Sequence, residues 1–366
     1  MSNELITALQ SAAGNAGSFY PYPVDNSVRF AGSETLYRAQ TTPTNNKKWT
    51  FSCWFKYIGP SSSWKGIIGA GTSGSDYTNF YMNGNHWLLN HVSYGQMDNT
   101  AFYRDPSAWY HVVVAFDSTQ ASAGDRQKIW VNGVKEAQPY SYGSWPQNFN
   151  TNINKSGYTL YIGRSGESAS YSTQYLAECV FIDGQQLDPT NFAETRNGVW
   201  VPKEITGLTF GNNGFYLDFA DSSNFGNDVS GNNNDFTSSG LTSREHMPDT
   251  PTNNFSTLNP LDISNSTTLR YGNLDHAGGQ LYTIWRSSAG THAVSSGKWY
   301  AEVLCETTYQ GHGIIKTSVQ VDNGGENFLG GTAGWAMFIN GDIYHDGSAY
   351  SYASTSYGLA ASLGYY

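Results

Sequence analysis

Two stretches decide the fold: Trp49-Thr-Phe-Ser-Cys-Trp-Phe-Lys-Tyr57 and Trp109-Tyr-His-Val-Val-Val-Ala-Phe-Asp117. In the first, every second residue from Trp49 to Tyr57 is apolar, which is the period of a β-strand with one buried face. The second is apolar on both faces, as expected of a strand inside a sandwich that is covered on each side. The sequence therefore predicts a strand over each stretch.

Further short runs of alternating residues are separated by residues that favour turns. Strands are predicted at 127–131, 158–163 and 175–183. Tight hairpins are predicted where Asn-Gly or Asp-Gly pairs tolerate a positive φ; these pairs lie at 83–84, 132–133, 183–184 and 340–341. Helical patterns are confined to 4–13 and a short turn at 189–195. This pattern indicates an all-β protein.

The composition narrows the class of protein further. The chain has 366 residues, of which 15% are aromatic and 13% charged, and its net charge is −10. Aromatic residues at this density can form a large core, which argues against disorder. The negative charge disfavours nucleic acid as a partner. No apolar run reaches the roughly 20 residues of a membrane span, and no signal peptide is recognised, so we expect synthesis in the cytoplasm without membrane insertion.

Shifts in composition divide the chain into four segments. Residues 1–18 combine one weak helical pattern with glycine, and we interpret them as a free tail or an attachment segment. Residues 19–206 form the first strand series. Residues 207–262 are rich in Asn, Asp, Ser and Gly and are interpreted as a connector, because periodicity is weak there. A second strand series occupies 263–366.

Several motifs resemble those of laminin-G-like, concanavalin A-like sandwich domains. Besides the opening stretch, they are Asp105-Pro-Ser-Ala-Trp-Tyr-His-Val-Val-Val, Ile129-Trp-Val-Asn-Gly133, Tyr161-Ile-Gly163 and Tyr175-Leu-Ala-Glu-Cys-Val-Phe-Ile-Asp-Gly-Gln-Gln-Leu-Asp188. The resemblance implies a jelly-roll sandwich for the first domain.

A longer set of motifs resembles virion proteins of marine cyanophages and their relatives. These motifs are Gly198-Val-Trp-Val-Pro202, Phe215-Tyr-Leu-Asp-Phe219, Asp249-Thr-Pro-Thr-Asn-Asn-Phe-Ser-Thr-Leu-Asn-Pro260 and Ser295-Ser-Gly-Lys-Trp-Tyr-Ala-Glu-Val303. The resemblance implies a second, SPRY-like sandwich, location in the virion, a homotrimer, and attachment to other virion proteins through residues 1–18. A SPRY-like domain usually continues beyond the equivalent of Tyr366, so we expect the second sandwich to be incomplete in this chain.

Five aromatic residues lie in turns rich in Gly and Ser rather than in predicted strands: Trp64, Tyr77, Tyr94, Trp145 and Tyr171. Sugar rings stack on Trp and Tyr faces, while amides and backbone groups bind the hydroxyls. Taken as a set, these residues predict a rim that binds glycans. Taken singly, each also fits the simpler role of a loop anchor.

The segment 218–235 is the best candidate for a metal site. Calcium prefers several oxygen ligands on flexible loops, and this segment supplies Asp218, Asp221, Asp228 and Asp235. The resemblance points the same way, because some laminin-G-like domains bind calcium. The alternative is a cluster of turns in which short side chains bind their own backbone.

Enzyme signatures are absent from the sequence. It contains no Gly-x-Ser-x-Gly and no Glu-x-Asp-x-Glu, the run by which some concanavalin A-like glucanases place their carboxylates on one strand face. Glu178 and Asp183 lie five positions apart, and this odd spacing places them on opposite faces of an ideal strand. The resemblance to phage virion proteins implies a fibre, spike or neck appendage that recognises a host-surface glycan, and the missing motifs lead us to predict that it is non-enzymatic. The alternatives are a concanavalin A-like polysaccharide depolymerase and a structural decoration protein of the capsid or neck.

Overall fold

The computed structural model describes residues 19–59, 64–98, 101–137, 140–142, 144–167, 170–264, 267–277, 287–303, 311–318, 321, 334–338, 342–345 and 348–351. The chain forms two units. Unit 1 comprises the described residues within 1–57, 61–103 and 108–255, and unit 2 comprises those within 58–60, 104–107 and 256–366. The predicted attachment segment, 1–18, lies outside the described residues.

Unit 1 contains two large antiparallel sheets, whose strands are numbered along the chain. The first sheet consists of β1 (Ser27–Ala31), β3 (Lys48–Tyr57), β8 (Trp109–Asp117), β9 (Gln127–Val131), β10 (Val134–Lys135), β13 (Thr173–Asp183), β16 (Phe215–Leu217) and β18 (His246–Met247). Its order is β10-β9-β8-β3-β13-β1-β18, and β16 pairs with β13.

The second sheet of unit 1 consists of β2 (Thr35–Ala39), β4 (Lys65–Ser73), β5 (Asp76–Asn83), β6 (His86–His91), β7 (Tyr94–Asp98), β11 (Tyr140–Tyr142), β12 (Thr159–Ile162) and β17 (Thr237–Ser239). Its order is β11-β7-β6-β5-β4-β12-β2-β17. A separate hairpin joins β14 (Ala193–Arg196) to β15 (Val199–Pro202). Short 3-10 helices occupy Ala123–Asp125, Pro189–Asn191 and Ser243–Glu245.

The main core lies between the two sheets. Alternate residues of β3, from Trp49 to Tyr57, all belong to it, which confirms the predicted apolar face. Trp49 stacks on Phe116 of β8 at 5.7 Å and on Phe181 of β13 at 5.9 Å between ring centroids. Aromatic residues thus join neighbouring strands across the interior, and the all-β sandwich predicted from the sequence is confirmed.

The opposite face of the first sheet is also buried, beneath the segment that follows β13. Val113, Val180 and Ile182 pack there with Phe192 and Tyr216. This second layer explains why β8 is apolar on both faces. β8 lies between β3 and β9, so the prediction of an interior strand is confirmed.

His111 is held in this layer as a neutral ring. Its Nδ1 accepts a hydrogen bond from Trp200 Nε1 at 3.0 Å, because an indole nitrogen can only donate. Its Nε2 therefore carries the proton and donates to Ser52 Oγ at 2.9 Å. Burial lowers the pKa of His111 to about 3, so the ring stays uncharged in neutral solution.

The segment predicted as a connector, 207–262, is largely part of the sandwich. It supplies β16 to the first sheet beside β13, β18 beside β1, and β17 to the second sheet beside β2. Phe215, Phe225 and Phe236 reach the main core from it. The prediction failed because these few apolar residues are spread through a polar stretch without strand periodicity, although each fills a specific site in the core.

A buried ion pair fastens the end of this segment to the first sheet. Lys56 Nζ of β3 lies 2.7 Å from Asp249 Oδ2 and also donates to Asn254 Oδ1 and the Phe255 carbonyl, each at 2.8 Å. Trp109 Nε1 donates to the other Asp249 oxygen at 2.9 Å. Both charges are almost inaccessible to solvent, and their hydrogen bonds compensate for the lost hydration.

Trp145 lies in the core rather than on a surface rim, which corrects the prediction made for it. Its side chain is 0% exposed, its Nε1 donates to Gln127 Oε1, and its ring meets Phe116 edge-on at 5.0 Å. The turn-like composition around it suggested exposure, but tertiary packing turns the indole inward. Trp145 therefore fits the loop-anchor role that the sequence left open.

Unit 2 consists of small antiparallel sheets. They pair β19 (Leu258–Ile263) with β22 (Ser288–Gly290), β20 (Thr268–Arg270) with β21 (Asp275–Ala277), and β23 (Gly311–Ile315), β24 (Gly334–Phe338), β25 (Asp342–His345) and β26 (Ser348–Ser351) in that order. Trp335 stacks on His345 at 3.9 Å. The motif 295–303 carries no strand, and the turn predicted at 340–341 lies outside the described residues.

None of the described helices is long and apolar enough to traverse a bilayer.

Lys56→Met is expected to destabilise unit 1 by about 3 to 5 kcal/mol, because it leaves the Asp249 carboxylate buried without its counter-ion. The matched control is Lys48→Met on the same strand, where Lys48 lies 3.2 Å from Asp117 and is one-third exposed. Its loss should cost about 1 kcal/mol or less. Urea unfolding followed by tryptophan fluorescence measures both changes. Equal losses in the two variants would contradict the role of the Lys56 pair.

Trp145→Ala is expected to lower the free energy of unfolding by about 3 to 5 kcal/mol, because it opens a cavity in the core. Trp64→Ala removes an indole that is 38% exposed and should cost about 1 kcal/mol or less. Thermal melts of the two variants give the comparison. A Trp145→Ala protein that melts like the wild type would show that this indole is not part of the core.

Candidate functional site

A cleft of about 480 Å³ lies in unit 1. Its described lining consists of Gly32, Trp64, Tyr77, Tyr81, Glu167, Ser170 and Tyr171. Aromatic rings predominate, and Glu167 is the carboxylate that the described lining contributes. The composition is that of a site for a ligand with both flat apolar faces and polar groups.

Strand β5 builds one wall of the cleft through its alternation. Phe80 and Met82 belong to the main core, so Tyr77, Asn79 and Tyr81 lie on the opposite face of the second sheet. Each of these three residues pairs with a glycine of the neighbouring strand β4: Tyr81 with Gly66, Asn79 with Gly69, and Tyr77 with Gly71. Because the glycines have no side chains, they leave room beside these residues for another segment of backbone.

A loop, described at residues 163–167 and 170–172, lies across this glycine surface and forms the opposite wall. A Cβ atom on Gly66 would lie 2.3 Å from the Arg164 carbonyl carbon, and one on Gly69 would lie 2.7 Å from the Gly166 nitrogen. Any other residue at these positions would push the loop away from β4. Ser172 Oγ donates to the Gly66 carbonyl at 2.6 Å and fixes the end of the loop.

Glu167 is held in the cleft by two neighbouring groups of β5. Asn79 is fully buried; its Nδ2 donates to Glu167 Oε2, and its Oδ1 accepts from the Gly166 nitrogen at 2.7 Å. Tyr81 OH donates to Glu167 Oε1 at 3.2 Å. Each carboxylate oxygen therefore accepts one bond from the protein, and each has further acceptor capacity for a ligand.

The Tyr81 hydroxyl stays protonated beside Glu167 and can therefore donate a hydrogen bond to it. Burial and the Glu167 charge raise the pKa of Tyr81 well above its usual range, so its hydroxyl stays protonated. Trp64 meets Tyr81 edge-on, with 5.1 Å between ring centroids. On the other side, the Arg164 guanidinium packs over Tyr161 at 4.2 Å and over Tyr171 at 5.6 Å. Both walls are thus braced by contacts between side chains.

The structure brings three of the five predicted aromatic residues together, since Trp64, Tyr77 and Tyr171 all line the cleft. Tyr94 lies elsewhere in unit 1, where its ring is 5.4 Å from Phe149 and 6.1 Å from His91. Trp145 is buried, as described above.

Sequence reasoning missed Asn79, Tyr81 and Glu167. The spacing of Gly66, Gly69 and Gly71 within a strand was a usable signal, because glycine inside a strand often marks a close backbone approach.

The acidic loop binds its own backbone. Asp228 accepts from the nitrogens of Tyr216 and Ser230 at Oδ1 and from that of Asn234 at Oδ2, while Asp235 accepts from the Asp228 nitrogen. Asp218 and Asp221 each accept from a nitrogen two residues ahead. Within the described part of the chain, no group of three or more His, Cys, Asp or Glu residues is arranged to hold a metal. Calcium binding by Asp218, Asp221, Asp228 and Asp235 stays a prediction.

Glu178 and Asp183 occupy separate buried networks outside the cleft. Glu178 sits at a bulge of β13 with φ 51° and accepts hydrogen bonds from the hydroxyls of Tyr22 and Tyr216. Its burial raises its pKa to about 7. Asp183 accepts from the nitrogens of Thr44, Asn45 and Asn213 and from Asn154 Nδ2. The described contacts of both carboxyl groups connect loops and strands.

Comparison with solved structures finds weak likenesses of fold. A heptameric SAP-like pentraxin from Limulus polyphemus is 18% identical, with a TM-score of 0.33, and the match covers 45% of this chain and 78% of that one. A Bacteroides ovatus protein to which carbohydrate binding has been ascribed is 14% identical, with a TM-score of 0.42 and 60% of each chain covered. Mouse laminin alpha1 domains LG4-5 are 11% identical, with a TM-score of 0.33, 54% of this chain and 48% of that chain covered.

Comparison of sequences identifies the first domain. No curated protein sequence is significantly similar to the chain. The family described as the concanavalin A-like lectin/glucanases superfamily, of the laminin G group, matches residues 31–183. These residues run from the end of β1 to the end of β13. They include every residue of the described lining of the cleft, from Gly32 to Tyr171. Residues 31–183 are therefore similar to laminin-G-like domains of the concanavalin A-like lectin and glucanase superfamily.

Proposed function

We propose that unit 1 binds a glycan in the cleft between β5 and the loop residues 163–167 and 170–172. The convergence of Trp64, Tyr77 and Tyr171 with the anchored carboxylate of Glu167 carries the proposal. Aromatic faces stack on the apolar faces of sugar rings, and a carboxylate accepts hydrogen bonds from hydroxyl groups. The domain family, which includes lectins, is consistent with this assignment.

We further propose that the protein is a non-enzymatic appendage of a phage particle that uses this cleft to recognise the host surface. The support is the resemblance of the motifs 198–202, 215–219, 249–260 and 295–303 to phage virion proteins. The same resemblance supports a SPRY-like identity for unit 2, a homotrimer, and attachment through residues 1–18. A structural decoration protein is the second candidate, and binding to host cells separates the two.

Trp64→Ala and Tyr171→Ala are each expected to weaken glycan binding roughly two- to twelvefold, because each removes a stacking surface worth about 0.5 to 1.5 kcal/mol. The melting temperature should change little, since both rings are partly exposed. Screening the full chain on immobilised oligosaccharides, followed by titration with the best ligand, measures the effect.

The matched control is Tyr94→Ala, which removes a similarly exposed tyrosine outside the cleft. It should leave the affinity within about twofold of the wild type. Loss of binding in Tyr94→Ala with full binding in Trp64→Ala would move the ligand to the surface around Tyr94 and overturn the assignment of the cleft.

Incubation with host polysaccharide is expected to release no new reducing ends. Hydrolysis of a glycosidic bond generally uses two carboxyl groups on opposite sides of that bond, and the carboxylate of the described lining, Glu167, is engaged by Asn79 and Tyr81. A reducing-sugar assay, with a known glucanase as positive control, measures release. Oligosaccharide release that is lost in Glu167→Gln would identify a depolymerase instead.

A further inference from the structure

We infer that the cleft prefers glycans that carry a free amino group, bound as an ammonium ion by Glu167 within the ring of aromatic side chains. The inference rests on the proposed function and adds the chemical class of the ligand. It follows from the position of one anchored negative charge among Trp64, Tyr77, Tyr81 and Tyr171.

The charge of Glu167 is fixed in place by the protein. Asn79 and Tyr81 hold its two oxygens, and Asn79 is itself fixed by the Gly166 nitrogen. These hydrogen bonds restrict the rotation of the carboxylate and keep it facing the cleft. It attracts a cation, accepts hydrogen bonds from a neutral sugar, and repels the carboxylate of an acidic sugar.

The aromatic lining, like the carboxylate, favours a ligand that carries an ammonium group. The faces of Trp and Tyr rings carry partial negative charge and attract ammonium groups, an interaction worth about 0.5 to 1 kcal/mol at exposed sites. The remaining described lining, Gly32 and Ser170, is uncharged. An ammonium group therefore gains from both kinds of wall, whereas a hydroxyl group gains mainly from the carboxylate.

Arg164 is the described charged group that opposes this preference. Its guanidinium is stacked over Tyr161 and Tyr171, and its Nε donates to the Ser165 carbonyl at 3.0 Å. It is not part of the described lining of the cleft. Glu167 lies in the lining itself, so its charge should dominate for a ligand within the cleft.

Three oligosaccharides of equal length test the inference by titration calorimetry: a glucosamine oligomer, its N-acetylated form and an oligogalacturonide. The pH is set so that the sugar amine is protonated. The wild type is expected to bind the glucosamine oligomer about fivefold more tightly than the N-acetylated oligomer, and the oligogalacturonide most weakly. In Glu167→Gln the fivefold preference should fall to about twofold, which is the part that the aromatic faces supply, whereas Trp64→Ala should weaken all three ligands together.

The outcomes separate the inference from the proposed function. All three ligands could bind in a way that depends on Trp64, without any preference for the glucosamine oligomer that Glu167→Gln reduces. That result would overturn the inference alone. Tightest binding of the oligogalacturonide, lost in Arg164→Gln, would also overturn it and would assign recognition to the guanidinium. If neither these ligands nor other glycans bind, both proposals fail. Raising the salt concentration should reduce the preference in the wild type, as screening of a charge pair requires.

Discussion

The close approach of the loop residues 163–167 and 170–172 to strand β4 is the constraint on which the cleft depends. The two backbones lie so close that a Cβ atom at Gly66 would be 2.3 Å from Arg164 of the loop, and one at Gly166 would be 2.4 Å from Ala70 of the strand. The strand can accept the loop because the three β4 residues that pair with Tyr77, Asn79 and Tyr81 of β5 are glycines. Without this approach Glu167 would lose Asn79, and Tyr171 would move away from Trp64 and Tyr77.

Charge is distributed differently in the framework and in the cleft. Lys56 with Asp249, and Arg29 with Glu245 at 3.0 Å, are buried ion pairs that fasten the segment 245–255 to the first sheet. Both charges of each pair are satisfied inside the protein, so neither pair is available to a ligand. Glu167 is bound by neutral donors instead, and its charge is therefore left to act on whatever enters the cleft.

The sequence predicted the fold well where strand periodicity was strong. The predicted strand at 109–117 coincides with β8, and that at 49–57 begins one residue inside β3. It predicted part of the cleft, because aromatic residues in polar turns tend to be exposed. It failed at Trp145 and at the supposed connector, where isolated aromatic residues from polar segments fill the core. Such packing depends on distant partners, which leave no local pattern in the sequence.

Glu167 and Asn79 were unpredictable for a related reason. Glu167 follows Ser165 and Gly166 in a stretch typical of an exposed turn, and Asn79 is one of several polar residues in β5. Their pairing spans 88 positions in the chain and exists only because the loop lies on the sheet. The affinity of one such small cleft for a single sugar should be weak, so firm attachment to a cell would require several copies acting together. The proposed oligomer and the proposed site therefore support each other: a weak cleft gives selective attachment only when it is repeated at a spacing that the host surface can match.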